Sequence, residues 1–116
     1  MKKGRKISGG KYIKQRKKKL YELAGQKRII KLGEDKRKIK RTRGGNQKTF
    51  LLGAKFVNIP KNKKLEIKNV LETPSNKFLA RQNIITKGTI VQTEKGKVKI
   101  TNRPTQEGIL NGILIE

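Results

Sequence analysis

Apolar residues are concentrated toward one end of this chain, and that limits where a fold can form. Of 37 apolar side chains in 116 residues, only Met1, Ile7, Tyr12, Ile13, Leu20, Tyr21, Leu23 and Ala24 precede position 27. A segment with so little surface to bury cannot offset the entropy lost on ordering it. The other 29 apolar residues fall in 27–116, enough for one small core. Two parts are expected: an extension over residues 1–26, disordered without its partner, and a folded body over residues 27–116.

Charge is skewed toward the same end. The net charge is +24; residues 1–48 hold 20 Lys/Arg against 3 acids, and residues 49–116 hold 12 against 5. Such a density of cations repels itself unless phosphates or counterions compensate it, so a nucleic acid is the expected partner. The chain has no Cys and no His, which excludes disulfides, thiolate or imidazole metal sites, and Ser/His or Cys/His pairs. Among the eight acids only Glu34 and Asp35 are close in sequence, whereas a two-metal nuclease needs several converging carboxylates. No Lys-Ser/Thr follows Gly44-Gly45, so the phosphate-loop pattern of nucleotide hydrolysis is not met. No catalytic residue, metal or cofactor is expected. With no apolar run of the ~20 residues a membrane span needs, and no secretory-type apolar segment after the charged start, a soluble intracellular protein is expected.

From Lys27 onward the chain reads as short β-type runs divided by Gly, Asn and Pro. Residues 28–32 form one run, ending at the turn candidate Gly33-Glu34-Asp35. The basic run 36–43 follows, then the break Gly44-Gly45-Asn46. In residues 49–58, Phe50, Leu52, Ala54 and Phe56 alternate as one face of a strand. Leu65, Ile67 and Asn69 alternate in the next, which Pro74 closes. Ser75-Asn76-Lys77 can cap a helical turn carrying Phe78, Leu79 and Ala80. Residues 88–102 read as a hairpin turning at Glu94-Lys95-Gly96, with Val98 and Ile100 inward. Gly112-Ile113-Leu114-Ile115 reads as a final buried strand. The fold class is all-β, a small barrel-like body that leaves no open edge, preceded by a basic, flexible extension. In that extension a short helix over about 13–24 is opposed by the adjacent cations Arg16, Lys17, Lys18 and Lys19.

As a strand, the basic run sets Arg37, Ile39 and Arg41 on one face and Lys38, Lys40 and Thr42 on the other. One face can line a phosphate backbone; a solubilising, lysine-protected edge is the plainer reading. Likewise Gly44-Gly45 can let backbone amides approach an anion, or can be only a tight turn. Five aromatics and no Trp give few platforms for stacked bases, although Tyr12 and Tyr21 lie within the basic arm. Backbone and shape recognition therefore ranks above sequence readout.

Six segments occurring in order carry a family resemblance: Gly4-Arg5-Lys6-Ile7-Ser8-Gly9-Gly10, Arg16-Lys17-Lys18-Lys19-Leu20-Tyr21-Glu22-Leu23, Arg41-Thr42-Arg43-Gly44-Gly45-Asn46, Asn69-Val70-Leu71-Glu72-Thr73-Pro74, Arg81-Gln82-Asn83-Ile84-Ile85-Thr86-Lys87-Gly88 and Thr101-Asn102-Arg103-Pro104-Thr105-Gln106-Glu107-Gly108. Together they resemble the small-subunit ribosomal protein family numbered eight in the archaeal and eukaryotic nomenclature, in its short archaeal form. The resemblance implies a non-enzymatic, cytoplasmic constituent of the small ribosomal subunit, a monomer within the ribosome, touching ribosomal RNA and neighbouring ribosomal proteins and no membrane. Its RNA contacts are then expected from Lys2, Lys3, Arg5, Lys6, Lys11, Lys14, Arg16, Lys17, Lys18 and Lys19 along the arm. Lys38, Lys40, Arg41, Arg43, Asn46 and Lys48 are expected beside them, with Gly9, Gly10, Gly44 and Gly45 allowing close backbone approach. The alternatives by class are a chromatin-type DNA-packaging protein, which would share the charge, and an RNA-processing enzyme using Glu34 and Asp35.

Overall fold

The computed structural model describes residues 4–13, 15–61 and 63–115, and among these the regular structure is predominantly β. Three strands form one sheet: β1 (Lys31–Leu32), β2 (Lys36–Arg41) and β3 (Gln47–Ala54), in the order β1-β3-β2. Five form a second: β4 (Phe56–Ile59), β5 (Lys63–Glu72), β6 (Ile90–Thr93), β7 (Gly96–Ile100) and β8 (Gly112–Ile115), in chain order. Helix α1 (Lys77–Arg81) and helix α2 (Pro104–Glu107) fill two of the connections.

Lys55 is the corner between the sheets. Its N–H donates to Asp35 Oδ1 at 3.0 Å, and its carbonyl accepts the Ile67 N–H at 2.9 Å, so neither backbone group is left without a partner. The second sheet curls until its outer strands touch, where Asn58 and Asn111 form a parallel bridge and the Asn58 N–H reaches the Leu110 carbonyl at 2.9 Å. Gly112 lets β8 lie close on its neighbours: a Cβ there would lie 2.5 Å from Val98 Cγ1 and 2.9 Å from the Lys99 carbonyl of β7, and 3.3 Å from Val57 Cγ2 of β4. Gly53 plays the same part in the first sheet, its missing Cβ leaving room for the Glu34 carbonyl.

The core draws on both sheets: Ile30, Leu51, Ala54, Val57, Leu65, Ile67, Val70, Ile85, Val91, Val98, Ile100 and Leu110. The hairpin β6–β7 pairs Val91 with Val98 across a turn at Glu94-Lys95, and Val98 and Ile100 are fully buried as expected. Asn76 caps α1 through Oδ1, which accepts the Phe78 N–H at 2.9 Å.

Several strand phases differ from the expected alternation. In β3 and β4 the innermost side chains are Leu51 and Val57, while Phe50, Leu52 and Phe56 are half-buried; of the expected face only Ala54 is fully inside. The chain bends at Lys55, so 49–58 is two strands rather than one, and in both the buried phase is that of Leu51 and Val57, opposite to the expected face. In β5 the register against β6 slips between Ile67 and Asn69, and again between Val70 and Glu72. Each bulge moves the following residues to the opposite face, which buries Val70 and leaves Asn69 exposed. Within 28–32 only β1 is strand, although Ile30 is buried. The last strand is not a buried one: Gly112 is inside, but Ile113, Leu114 and Ile115 are exposed, because β8 ends its sheet and meets β4 through the bridge at Asn111.

Candidate nucleic-acid interface

Every described residue in 4–29 is exposed. Local contacts shape this arm. Arg5 and Lys11 bridge across a turn closed by Lys6 N–H to Gly10 C=O at 2.9 Å and Gly9 N–H to Lys6 C=O at 2.8 Å. Gly9 occupies φ +76, a conformation that favours glycine. In place of a helix over 13–24 there is one tight 3₁₀ turn, Leu20–Glu22. Glu22 holds it: one carboxylate oxygen accepts the Lys19 N–H at 3.1 Å, and the pair receives the Arg16 guanidinium at 2.6 and 3.0 Å. The Arg16 hydrogen bonds, with the Lys19 amide second, lower the Glu22 carboxyl below its ordinary range.

Arg16 is thus already paired within the arm, whereas Arg5, Lys6, Lys11, Lys17, Lys18 and Lys19 have no acidic partner within ion-pair distance among the described residues. Lys6 and Lys19 lie over the rings of Tyr12 and Tyr21, each at 5.9 Å. Lys2, Lys3 and Lys14 fall outside the described residues.

The hairpin β2–β3 supplies the second group. All six residues of β2 are exposed, because it is the edge of its sheet. Arg37 is drawn inward, its Nε donating to the Gly108 carbonyl at 3.2 Å with Asp35 at 4.0 Å. Lys38, Lys40 and Arg41 pair with no acid among the described residues. Lys40 stands directly opposite Lys48 across the pair of strands, an arrangement of like charges that destabilises a sheet unless an anion lies between or over them. At the tip, the Thr42 N–H and hydroxyl both bond the Asn46 carbonyl, at 2.7 and 2.9 Å, and Gly44 and Gly45 take φ of +80 and +81. Arg43, Gly44, Gly45 and Asn46 are all exposed there.

Acids elsewhere are occupied or dispersed. Lys55 pairs with Glu66 at 2.9 Å, which raises the Lys55 ammonium above its ordinary value. Glu107 accepts the Asn102 amide at 2.9 Å. Asp35, one of the two acids offered for an enzymatic reading, caps the Lys55 backbone instead. Among the described residues, no three carboxylates gather as a metal site would require.

One cationic feature escaped the sequence reading. The Arg28 guanidinium carbon sits over Phe50, 3.4 Å from the ring centre, and Arg28 shares a cleft with Lys27, Lys87 and Arg103. They come from three separate segments, Lys27-Arg28, Lys87 and Arg103, and no long basic run marks them.

The sequence profile of the family described as ribosomal protein S8e matches residues 1–115. A relative from Staphylothermus marinus, named small ribosomal subunit protein eS8, is 49% identical over 97% of this chain and 92% of its own length. Relatives of the same name from Nanoarchaeum equitans and Methanosarcina barkeri are 46% and 41% identical, over 95% and 97% of this chain and 91% and 94% of theirs. On this agreement, which spans arm and body alike, the chain belongs to the ribosomal protein S8e family.

Proposed function

We propose that this protein is a structural constituent of the small ribosomal subunit that binds ribosomal RNA through its phosphate backbone and shape, using the arm and the β2–β3 hairpin. As a ribosomal protein of this family it works on the cytoplasmic ribosome. The observation that carries the RNA-binding reading is the distribution of unpaired charge: exposed cations without acidic partners fill the arm and the hairpin edge, and Lys40 and Lys48 face one another. A polyanion relieves both repulsions at once. The role is one of positioning, without catalysis: the arm becomes ordered on binding and holds RNA segments that would otherwise repel each other. Neighbouring ribosomal proteins complete the site, and the chain acts as a monomer within the particle.

The test is the salt dependence of binding to small-subunit ribosomal RNA. Each phosphate neutralised contributes about 0.7–0.9 to the log-log slope, so replacing Lys17, Lys18 and Lys19 together with Ala lowers the slope by roughly 2. An unchanged slope removes the arm from the interface. Duplex DNA competing as well as structured RNA would move the assignment to DNA packaging. Amide signals of 4–20 that are dispersed and slowly exchanging in the free protein would contradict ordering on binding.

A further inference from the structure

Away from the arm and the hairpin tip, one cleft combines apolar walls with a cationic mouth. It has a volume of about 390 Å³ and lies where the chain leaves the arm, between residues 27–30, α1 and the start of α2. Buried Ile30, Ile84, Ile85 and Pro104 form its wall, and Ile29 stands 48% exposed at the edge. Lys27, Arg28, Lys87 and Arg103 are exposed around it, and no acid lines it. A ligand with a flat or apolar part and a negative charge fits such a site.

Arg28 narrows the chemistry. Its guanidinium sits over the Phe50 ring at 3.4 Å, so one face is held by the aromatic plane. Arg28 is exposed, which leaves the opposite face open to a second planar group. Unpaired bases stack on arginine planes and aromatic rings in this way, and their phosphates seek cations. Lys27 follows directly on the arm, so an RNA strand tracked by the arm arrives at this mouth.

We propose that the cleft receives one unpaired nucleotide of the bound RNA. The base stacks on Arg28 above Phe50 and slides against Ile29 and Pro104, while the flanking phosphates lie on Lys27, Lys87 and Arg103. This rests on the RNA-binding reading above and adds to it a site for a base, where that reading has only backbone contacts.

The experiment uses the full chain and two RNAs: a duplex with one bulged 2-aminopurine, and the same duplex without the bulge. The wild-type protein is expected to bind the bulged RNA on the order of tenfold more tightly, from one added stacking contact, and to change the 2-aminopurine fluorescence. Arg28→Lys keeps the charge and removes the plane; it is expected to abolish the preference and the fluorescence change while leaving the salt slope on the plain duplex as it was. Replacing Lys17, Lys18 and Lys19 with Ala weakens both RNAs alike and leaves the preference intact. Equal binding of the two RNAs by the wild type, or a preference that survives Arg28→Lys, overturns the proposal while the backbone reading stands. Binding of neither RNA overturns both.

Discussion

The arm and the body divide the properties of this chain between them. In residues 4–29 no described side chain is buried, and the one acid, Glu22, is taken up by Arg16 and a backbone amide. From Ile30 onward buried and exposed positions interleave, and the acids Asp35, Glu66 and Glu107 cap amides or pair with cations. The radius of gyration is 21.4 Å, against about 13 Å for a compact chain of this length, because the arm stands away from the core. The difference shows that charge and burial act as alternatives here: the segment where cations are densest has nothing buried, and the segment with a core keeps its cations on exposed positions.

This contrast is open to attack from the body first. Leu51→Ala removes a fully buried side chain where the two sheets meet, and is expected to cost about 2–5 kcal/mol of unfolding free energy; Leu52→Ala, half-buried, costs clearly less. Urea denaturation of the two variants checks the phase of β3, and equal losses would show that the strand is not divided into an inner and an outer face. Gly112→Ala forces a methyl against Val98 and the Lys99 carbonyl, and about 1–3 kcal/mol is expected from overpacking at the point where the curled sheet closes. A neutral result would mean that β8 is not held so closely against β7 there.

A gain is expected at Thr73, which is fully buried with its hydroxyl unpartnered. Thr73→Val removes an unsatisfied polar group at constant shape, so stability should rise by about 1 kcal/mol; a loss on thermal denaturation would reveal a partner for that oxygen.

The smallest effect belongs to the arm. Because Arg16, then the Lys19 amide, lower the folded-state Glu22 value, the contact stabilises the 3₁₀ turn above the ordinary carboxylate range and loses that contribution as pH falls through the lowered value. An NMR titration of the Glu22 carboxyl is expected to show a midpoint below the ordinary range and an upward return in Arg16→Ala. The same midpoint in both proteins would dissolve the pair and leave the 3₁₀ turn without its ionic anchor.

Much of this was legible in the chain alone. The β6–β7 hairpin follows from alternation on either side of Glu94-Lys95-Gly96, and α1 from Asn76 placed two residues before Phe78, because turns and caps depend on residues close in sequence. The exposure of the basic arm follows from its lack of apolar partners. The phase of a strand does not follow: which face of 49–58 turns inward is set by what lies across the sheet, and a bulge in β5 reverses inside and outside for the residues after it.

The sequence by itself determined the predominantly β character of the fold, the lack of apolar residues to bury before position 27, and the excess of positive charge, because composition, periodicity and charge are local sums. Tertiary structure alone decided that Arg37 turns inward to the Gly108 carbonyl, that Lys40 faces Lys48, and that Arg28 lies on Phe50 beside Lys87 and Arg103. Those neighbours are brought together by strand register and by the curl of the sheet, and both are properties of packing between segments far apart in the chain.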